Sequence, residues 1–260
     1  MANASILSVN LADAGVVTAD SEAEAMPASL LQVEHVRKRW RGDGPAAYVV
    51  CDLGALHDVD TVALLGMTVG DAATVRLRIS TADATGAAGD ALDTGVLTSA
   101  SEWFDPDYGA LVYAGAAVVS GRYVRIDLAE TDALYLEAGR LVVGERITFE
   151  ANFRPGSARG RNDLSRKTRT QGGQTLIERK ARPRTLDLAF DWVTLAEWEA
   201  IVEPVDRDRG VTEDVLVILD AEGDNVPRDA VWGLLSDISP VAFTAIPDVF
   251  TKQYRLEERL

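Results

Sequence analysis

The stretch that decides the fold class is Thr74-Val75-Arg76-Leu77-Arg78-Ile79-Ser80, in which apolar and charged side chains alternate without a break. On an extended chain, Val75, Leu77 and Ile79 project to one face and the two arginines project to the other. A period of two with one polar face is typical of a half-buried strand in an antiparallel sheet. The stretch Arg122-Tyr123-Val124-Arg125-Ile126-Asp127-Leu128 repeats the pattern, so we predict antiparallel sheet for this part of the chain.

Further short strands are predicted on both sides of these two stretches. The clearest are Ala47–Leu53, Thr61–Leu65 and Gly139–Val143, separated by segments with Gly, Asp and Pro. Many short strands with turn-rich links favour a β-sandwich over a parallel α/β fold. We predict a mainly β protein with a jelly-roll-like β-sandwich at residues 30–148, preceded by an N-terminal arm or strand at residues 1–29.

A second, β-rich assembly domain with one helix is predicted at residues 185–260, either alone or continuous with residues 1–29 and 149–184. Thr194 and Glu197 have the spacing of a capping box, which predicts a helix from Thr194 to Val202. In this helix Leu195, Trp198 and either Ile201 or Val202 would share a face. The predicted strands are Thr185–Trp192, Val215–Leu219, Ala230–Leu235 and Phe250–Leu256.

Length, composition and net charge limit the classes of function that the chain can have. The 260 residues can form one large or two ordinary domains, and a net charge of -15 disfavours binding to nucleic acid. A single cysteine excludes an intrachain disulfide. The N-terminus lacks a basic start followed by an apolar core, and the longest apolar run is too short for a bilayer, so we expect neither a signal peptide nor membrane insertion.

The charge balance inverts between Arg146 and Arg184, where eleven Lys or Arg face three acids. The rest of the chain carries 26 − 11 = 15 basic and 41 − 3 = 38 acidic residues, a net of -23. Apolar residues are sparse from Arg154 to Gln174, so residues 149–184 are predicted to form a basic extended arm or loop. Aromatics are nearly absent, which favours an acidic protein surface over nucleic acid as its partner. The candidate assembly-interface residues are Arg154, Arg159, Arg161, Arg166, Lys167, Arg169, Arg179 and Arg182.

No catalytic residue, cofactor or metal ligand is assigned. The only histidines, His35 and His57, lie in no metal-ligand spacing, and no P-loop, dinucleotide fingerprint or nucleophile elbow occurs. Cys51 could pair with His57, but its apolar surroundings favour a buried small hydrophobe. With 41 acidic residues, chance carboxylate pairs are too common to identify a glycosidase. We predict that the chain is not an enzyme.

Three aromatic side chains are candidates for recognition. Trp103 and Tyr108 lie in a loop-like stretch, where they could stack on sugars or pack within the protein, and the sequence leaves these two roles balanced. Trp40 follows a basic run. We expect Trp40 to pack in its own core, with Arg39 or Arg41 held by a carboxylate.

The order of several motifs resembles the galactose-binding-like, discoidin-type β-sandwich. These motifs are Val36–Arg41, Tyr48–Gly54, Val59–Gly66, Gly121–Leu128 and Glu137–Gly144. The last of them, followed by an Arg- and Gly-rich segment, resembles tail proteins of long-tailed phages and prophages, including distal tail proteins. The resemblance implies a sandwich used in attachment or assembly. In some members it also implies sugar binding in the loops or a structural calcium, whose ligands the sequence does not locate.

These observations predict a structural virion protein of a phage tail tip or baseplate, made in the bacterial host cytoplasm. It would act in tail assembly as a homo-oligomer, a ring or trimer, and would contact other tail proteins and a host-surface glycan. The alternative is a carbohydrate-binding module for host-surface adsorption. An enzyme has the least support.

Overall fold

The computed structural model describes residues 2–70, 73–98 and 109–260. The chain is mainly β, as predicted. It divides into two compact units, the first formed by residues 1–147 and 218–230 and the second by residues 148–217 and 231–260. No helix in the described ranges is long and apolar enough to cross a membrane.

Nineteen strands occur in the described ranges. They are β1 Ser5–Leu7, β2 Val16–Ala19, β3 Trp40–Asp43, β4 Ala46–Met67, β5 Thr74–Ser80, β6 Leu92–Asp93, β7 Leu97–Thr98, β8 Gly109–Ala129, β9 Tyr135–Ala138, β10 Arg140–Gly144, β11 Ile147–Thr148, β12 Ala158–Arg161, β13 Arg166–Arg169, β14 Thr175–Glu178, β15 Arg184–Thr194, β16 Asp214–Ile218, β17 Ala230–Leu235, β18 Ala242–Phe243 and β19 Val249–Glu258. The helical segments are 3-10 turns at Leu11–Asp13 and Ala28–Gln32, α1 Leu195–Glu197, π-helical turns at Trp198–Val202 and Val205–Arg209, and α2 Val226–Asp229.

Two long strands, β4 and β8, organise the first unit. They pair antiparallel, with register shifts between Asp52 and His57, between Val59 and Thr61, and near Met67. The strands predicted separately at 47–53 and 61–65 are therefore parts of one strand, because bulges let a long strand bend without ending it. The sheet has the order β10-β4-β8-β5-β6, with β2 on β4 and β7 on β5.

The core of the first unit contains residues from both halves of the bent strands. Val49 and Val62 of β4 belong to the same buried cluster as Ile126 and Leu111 of β8. The alternation predicted for β5 is confirmed, since its three aliphatic side chains are buried. Gly121 of β8 pairs with His57 next to the register shift in β4, and a Cβ there would approach Ile79 Cγ2 to 2.1 Å, so the close approach requires glycine.

The sheet of the second unit has the order β16-β17-β19-β15-β12, with β18 also on β19. The alternation in β15 is confirmed, with Leu186, Leu188 and Phe190 buried. The Phe190 ring stacks on Phe149 at 4.1 Å and meets Tyr254 edge-on at 6.4 Å. Aromatic packing therefore forms the centre of this core.

The predicted helix start is confirmed. Thr194 Oγ1 accepts from the Glu197 N–H, and the Glu197 carboxylate accepts from the Thr194 N–H, which completes the capping box. The helical segment runs on to Arg209 as π-helical turns, beyond the predicted end at Val202. Ile201 and Val202 are buried, whereas Leu195 at the first position of the helix is 37% exposed, so the predicted common face is not buried along its whole length.

The segment predicted as an extended arm or loop contains regular structure. Strand β12 pairs with β15, and β13 pairs with β14 in a separate two-stranded hairpin. These strands satisfy their backbone groups through ladders, which needs no apolar core of their own. Sparse apolar residues therefore predicted the exposure of the segment but not its strands.

Candidate functional site

The basic arm, residues 149–184, includes the hairpin formed by β13 and β14, which we call the basic hairpin. Its ladder runs from Arg166 opposite Glu178 to Arg169 opposite Thr175. At the tip, the Thr170 N–H donates to the Gln174 carbonyl at 2.9 Å, and nearby Gly173 has a φ of +81°. Left-handed backbone of this kind favours glycine, so the sequence Gln-Gly-Gly-Gln builds the turn.

The base of the basic hairpin is closed by one side chain. The Lys180 N–H donates to Ser165 Oγ at 3.0 Å, so the chain enters and leaves the hairpin at neighbouring points. Next to this closure, the Arg182 guanidinium lies 3.2 Å from the Asp163 carboxylate. Both groups of that pair are exposed, so their ion pair adds little stability.

All eight candidate interface residues are exposed, and the structure distributes them along the arm. Arg154 precedes β12 and lies 3.2 Å from Asp191. Three of the cations lie on the short strand β13. The complete set is Arg154, Arg159 and Arg161 at β12, Arg166, Lys167 and Arg169 on β13, and Arg179 and Arg182 after β14.

The candidate sugar-stacking residues Trp103 and Tyr108 lie outside the described residues. The first unit offers another exposed aromatic, Tyr135 on β9, which is 43% exposed. The Arg41 guanidinium carbon lies 4.1 Å from the Tyr135 ring centroid, and Arg41 Nε donates to Glu137 Oε1 at 2.8 Å. An aromatic ring with charged hydrogen-bonding groups beside it can bind a polar ring compound.

The expected environment of Trp40 is confirmed. Its indole is fully buried, and the ring nitrogen donates to the Ser21 carbonyl at 3.1 Å. Both neighbouring arginines bind one carboxylate, with Arg39 at 3.4 Å and Arg41 at 2.5 Å from Glu137. Trp40 therefore packs in the core and presents no surface to a ligand.

Cys51 is buried in the core of the first unit. Burial, with a smaller contribution from the charge of Asp52, raises the pKa of its thiol to about 12. The thiol stays protonated near neutral pH, whereas nucleophilic attack needs the thiolate. The imidazoles of His35 and His57 form no hydrogen bond or ion pair with any described residue.

We expect Cys51 to resist alkylation in the folded protein. Iodoacetamide at pH 8 should leave the folded chain unmodified and should modify it fully in denaturant, as read by intact mass. Above pH 9 the unfolded thiol ionises before the folded one, so the stability from this group falls as pH rises towards 12. Rapid alkylation under native conditions would contradict the burial.

Buried ion pairs are the polar features that sequence reasoning missed. Lys252 Nζ, with no exposed side-chain surface, lies 2.5 Å from Asp206 Oδ2 and donates to the Ser239 carbonyl at 2.6 Å. In the first unit, the fully buried guanidinium of Arg140 binds the Asp13 carboxylate. Burial, and then the nearby Asp206, hold the pKa of the Tyr254 hydroxyl well above its ordinary value. One sequence signal that could have identified a buried ion pair is Lys252, a lysine within the predicted strand Phe250–Leu256.

No protein-family model and no curated protein matches this sequence. Solved structures match about half of it. A GH29 fucosidase from Ruminococcus gnavus, solved with fucose, shares 12% identity over 54% of this chain, with a TM-score of 0.42. The match spans only 27% of the fucosidase.

Two isolated modules match over nearly their whole length. A chitosan-binding module from a chitosanase/glucanase of Paenibacillus sp. IK-5 shares 19% identity over 53% of this chain and 99% of its own, with a TM-score of 0.39. A family 32 CBM from C. perfringens NanJ, solved with galactose, shares 13% identity over 53% of this chain and 98% of its own, with a TM-score of 0.41. Neither likeness assigns a family to this chain.

Proposed function

We propose that this chain is a non-catalytic assembly protein that joins subunits through the basic hairpin. The observation that carries the proposal is that all eight strand residues of the basic hairpin are exposed. A lone two-stranded hairpin is at best marginally stable in water, so a covering partner would stabilise it. The partner should be acidic, because β13 presents three cations and the chain outside residues 146–184 has a net charge of 15 − 38 = -23.

The particle that we propose is the tail tip or baseplate of a long-tailed phage, since residues 30–148 and the segment after them resemble such tail proteins. Ring or trimer symmetry would multiply a modest contact into a stable assembly. An antibody against this chain should label the tail tip of particles released from the source bacterium. Its absence from purified particles would contradict this setting.

We expect the double substitution Arg166→Glu and Lys167→Glu to leave the chain monomeric under conditions where the wild type associates. Sedimentation velocity at several concentrations measures the association, and rising salt should weaken it in the wild type. The matched control is Arg37→Glu with Lys38→Glu, an exposed adjacent pair in the first unit. Equal effects of the two doubles would attribute the result to net charge and contradict the role of the basic hairpin.

A second candidate function is binding of a host-surface carbohydrate by the first unit. The observation that favours it is the exposed Tyr135 ring beside Arg41 and Glu137. The neighbours described above include proteins solved with fucose and galactose and one named for chitosan.

A glycan array probed with the purified chain tests this candidate. We expect Tyr135→Ala to weaken any glycan signal about tenfold, since loss of an aromatic stacking surface costs about 1.5 kcal/mol. The control is Trp192→Ala, which removes an exposed aromatic from the second unit. Binding that survives Tyr135→Ala unchanged would remove Tyr135 from the site.

A further inference from the structure

The second unit exposes a group of apolar side chains around β18 and the start of the helical segment. We call it the aromatic patch; its exposed members are Leu195, Phe243 and Ile246, and the partly buried Trp198 and the buried Phe250 form its base. Phe243 is 88% exposed, and its ring lies 5.5 Å from that of Phe250, which in turn lies 5.7 Å from Trp198. The Leu195 N–H donates to the Asp248 carbonyl at 3.1 Å, which ties the two segments together. Exposed apolar side chains grouped in this way are typical of interaction sites.

The surroundings of the aromatic patch are acidic. The two segments that supply it, residues 191–203 and 237–250, contain six acids and neither Lys nor Arg. Glu197 is buried in the capping box, and Asp191, Glu203 and Asp237 pair with Arg154, Arg207 and Arg255. The remaining two, Glu199 and Asp248, are exposed and form no ion pair with a described residue. Glu199 follows Trp198 directly and is exposed, and Asp248 lies two residues before Phe250. An apolar centre with an anionic rim selects a partner that is apolar at its own centre and cationic around it.

One face of the basic hairpin has that composition. Residues directly opposite each other in an antiparallel pair project to the same face, and neighbours along a strand project to opposite faces. Lys167 is opposite Ile177, so these two share a face with Arg169 and Thr175. Ile177 is 57% exposed, and neither cation has an ion pair with a described residue. The other face, Arg166, Thr168, Leu176 and Glu178, includes an acid.

We infer that the face of the basic hairpin bearing Lys167, Arg169 and Ile177 docks on the aromatic patch of a second copy of this chain. Ile177 would cover Phe243, and the two cations would reach Glu199 and Asp248 or lie against the aromatic rings. This docking rests on the proposed assembly function and specifies its two surfaces. Because the surfaces differ, the contact is heterologous and builds rings or open chains of subunits.

Charge complementarity selects a second copy as the occupant. The basic arm, residues 149–184, carries ten Lys or Arg and three acids. The aromatic patch adjoins two exposed acids, Glu199 and Asp248, that form no ion pair with a described residue. Within one chain the strands of the basic hairpin and Leu195, Phe243 and Ile246 of the patch are all exposed, so they do not cover each other there, and a second copy can supply the cover.

Two hairpin variants separate the faces. Lys167→Glu with Ile177→Ser should lower the association constant about tenfold to a hundredfold, the usual loss for central interface residues. Arg166→Glu with Leu176→Ser makes the same two kinds of change on the opposite face. This variant should keep its association constant within about twofold of the wild-type value, as expected for residues outside the centre of an interface. All four residues are exposed, and circular dichroism checks that each variant remains folded.

A mixing experiment tests the pairing itself. Phe243→Ser with Glu199→Lys disables the aromatic patch, and Lys167→Glu with Ile177→Ser disables the hairpin. Each variant alone should be monomeric, but their mixture should form a 1:1 dimer, because the first still offers a hairpin and the second still offers a patch. A mixture that stays monomeric would overturn the docking, and so would a patch variant that associates like the wild type.

These outcomes also distinguish a failure of the docking proposal from a failure of the proposed assembly function on which it rests. A wild type that is monomeric at every concentration would overturn both. A wild type that associates, and that loses association only with Arg166→Glu and Leu176→Ser, would leave the assembly function standing and overturn the choice of face.

Discussion

Replacing Lys252 by methionine is expected to lower the free energy of unfolding of the second unit by about 3–5 kcal/mol, the usual cost of removing one partner from a buried ion pair. The Lys252 ammonium has no exposed surface and the Asp206 side chain is 21% exposed, so the remaining carboxylate would be poorly solvated. The other oxygen of Asp206 is already buried without a hydrogen-bond partner, which leaves it no alternative donor. Denaturant unfolding followed by the tryptophans of the second unit measures the change.

Two further variants test whether the loss comes from the unpaired buried charge. Lys252→Met with Asp206→Leu removes both charges, so it should recover most of the loss, since apolar replacements of buried pairs are often neutral. Lys38→Met removes an exposed lysine and should change stability by less than about 0.5 kcal/mol. If the single change at Lys252 costs no more than the Lys38 control, the buried pair contributes nothing to the fold.

Replacing Trp40 by alanine is expected to destabilise the first unit by about 3–5 kcal/mol, as for other large aromatic side chains removed from a core. The indole is fully buried, and a Cβ on Gly42 would lie 2.7 Å from its ring, so the backbone packs directly on it. Substitution would leave a cavity and an unpaired Ser21 carbonyl.

The matched control is Trp192→Ala, which removes the same side chain where it is 49% exposed. That change should cost about 0.5 kcal/mol or less. Calorimetry suits both variants, because two units need not unfold in one transition. Equal shifts for the two tryptophans would contradict the packing described for Trp40.

Much of the strand pattern was readable before the structure was known. The alternation in β5, β8 and β15 predicted which side chains are buried, and the spacing of Thr194 and Glu197 predicted the start of the helical segment. The run of cations predicted an exposed basic arm. Each of these features depends on residues close in the chain, whose relative directions follow from backbone geometry alone.

The candidate surfaces were less predictable. The cations of the arm were identified, but their division between two faces of the basic hairpin depends on register, which the turn at Gly173 sets. The aromatic patch was missed, because its members come from segments about 50 residues apart and each looks like an ordinary core residue.

What the sequence determined by itself is local: strand faces, the helix cap, the charge inversion and the absence of a disulfide. What only the tertiary structure decided is long-range. It placed residues 218–230 in the first unit, joined two predicted strands into β4, and selected Asp13 for Arg140 across 127 positions and Asp206 for Lys252 across 46. The physical reason is that 41 acidic residues offer far more partners than any local rule can rank. Only the folded chain brings one particular carboxylate within hydrogen-bond distance of each buried cation.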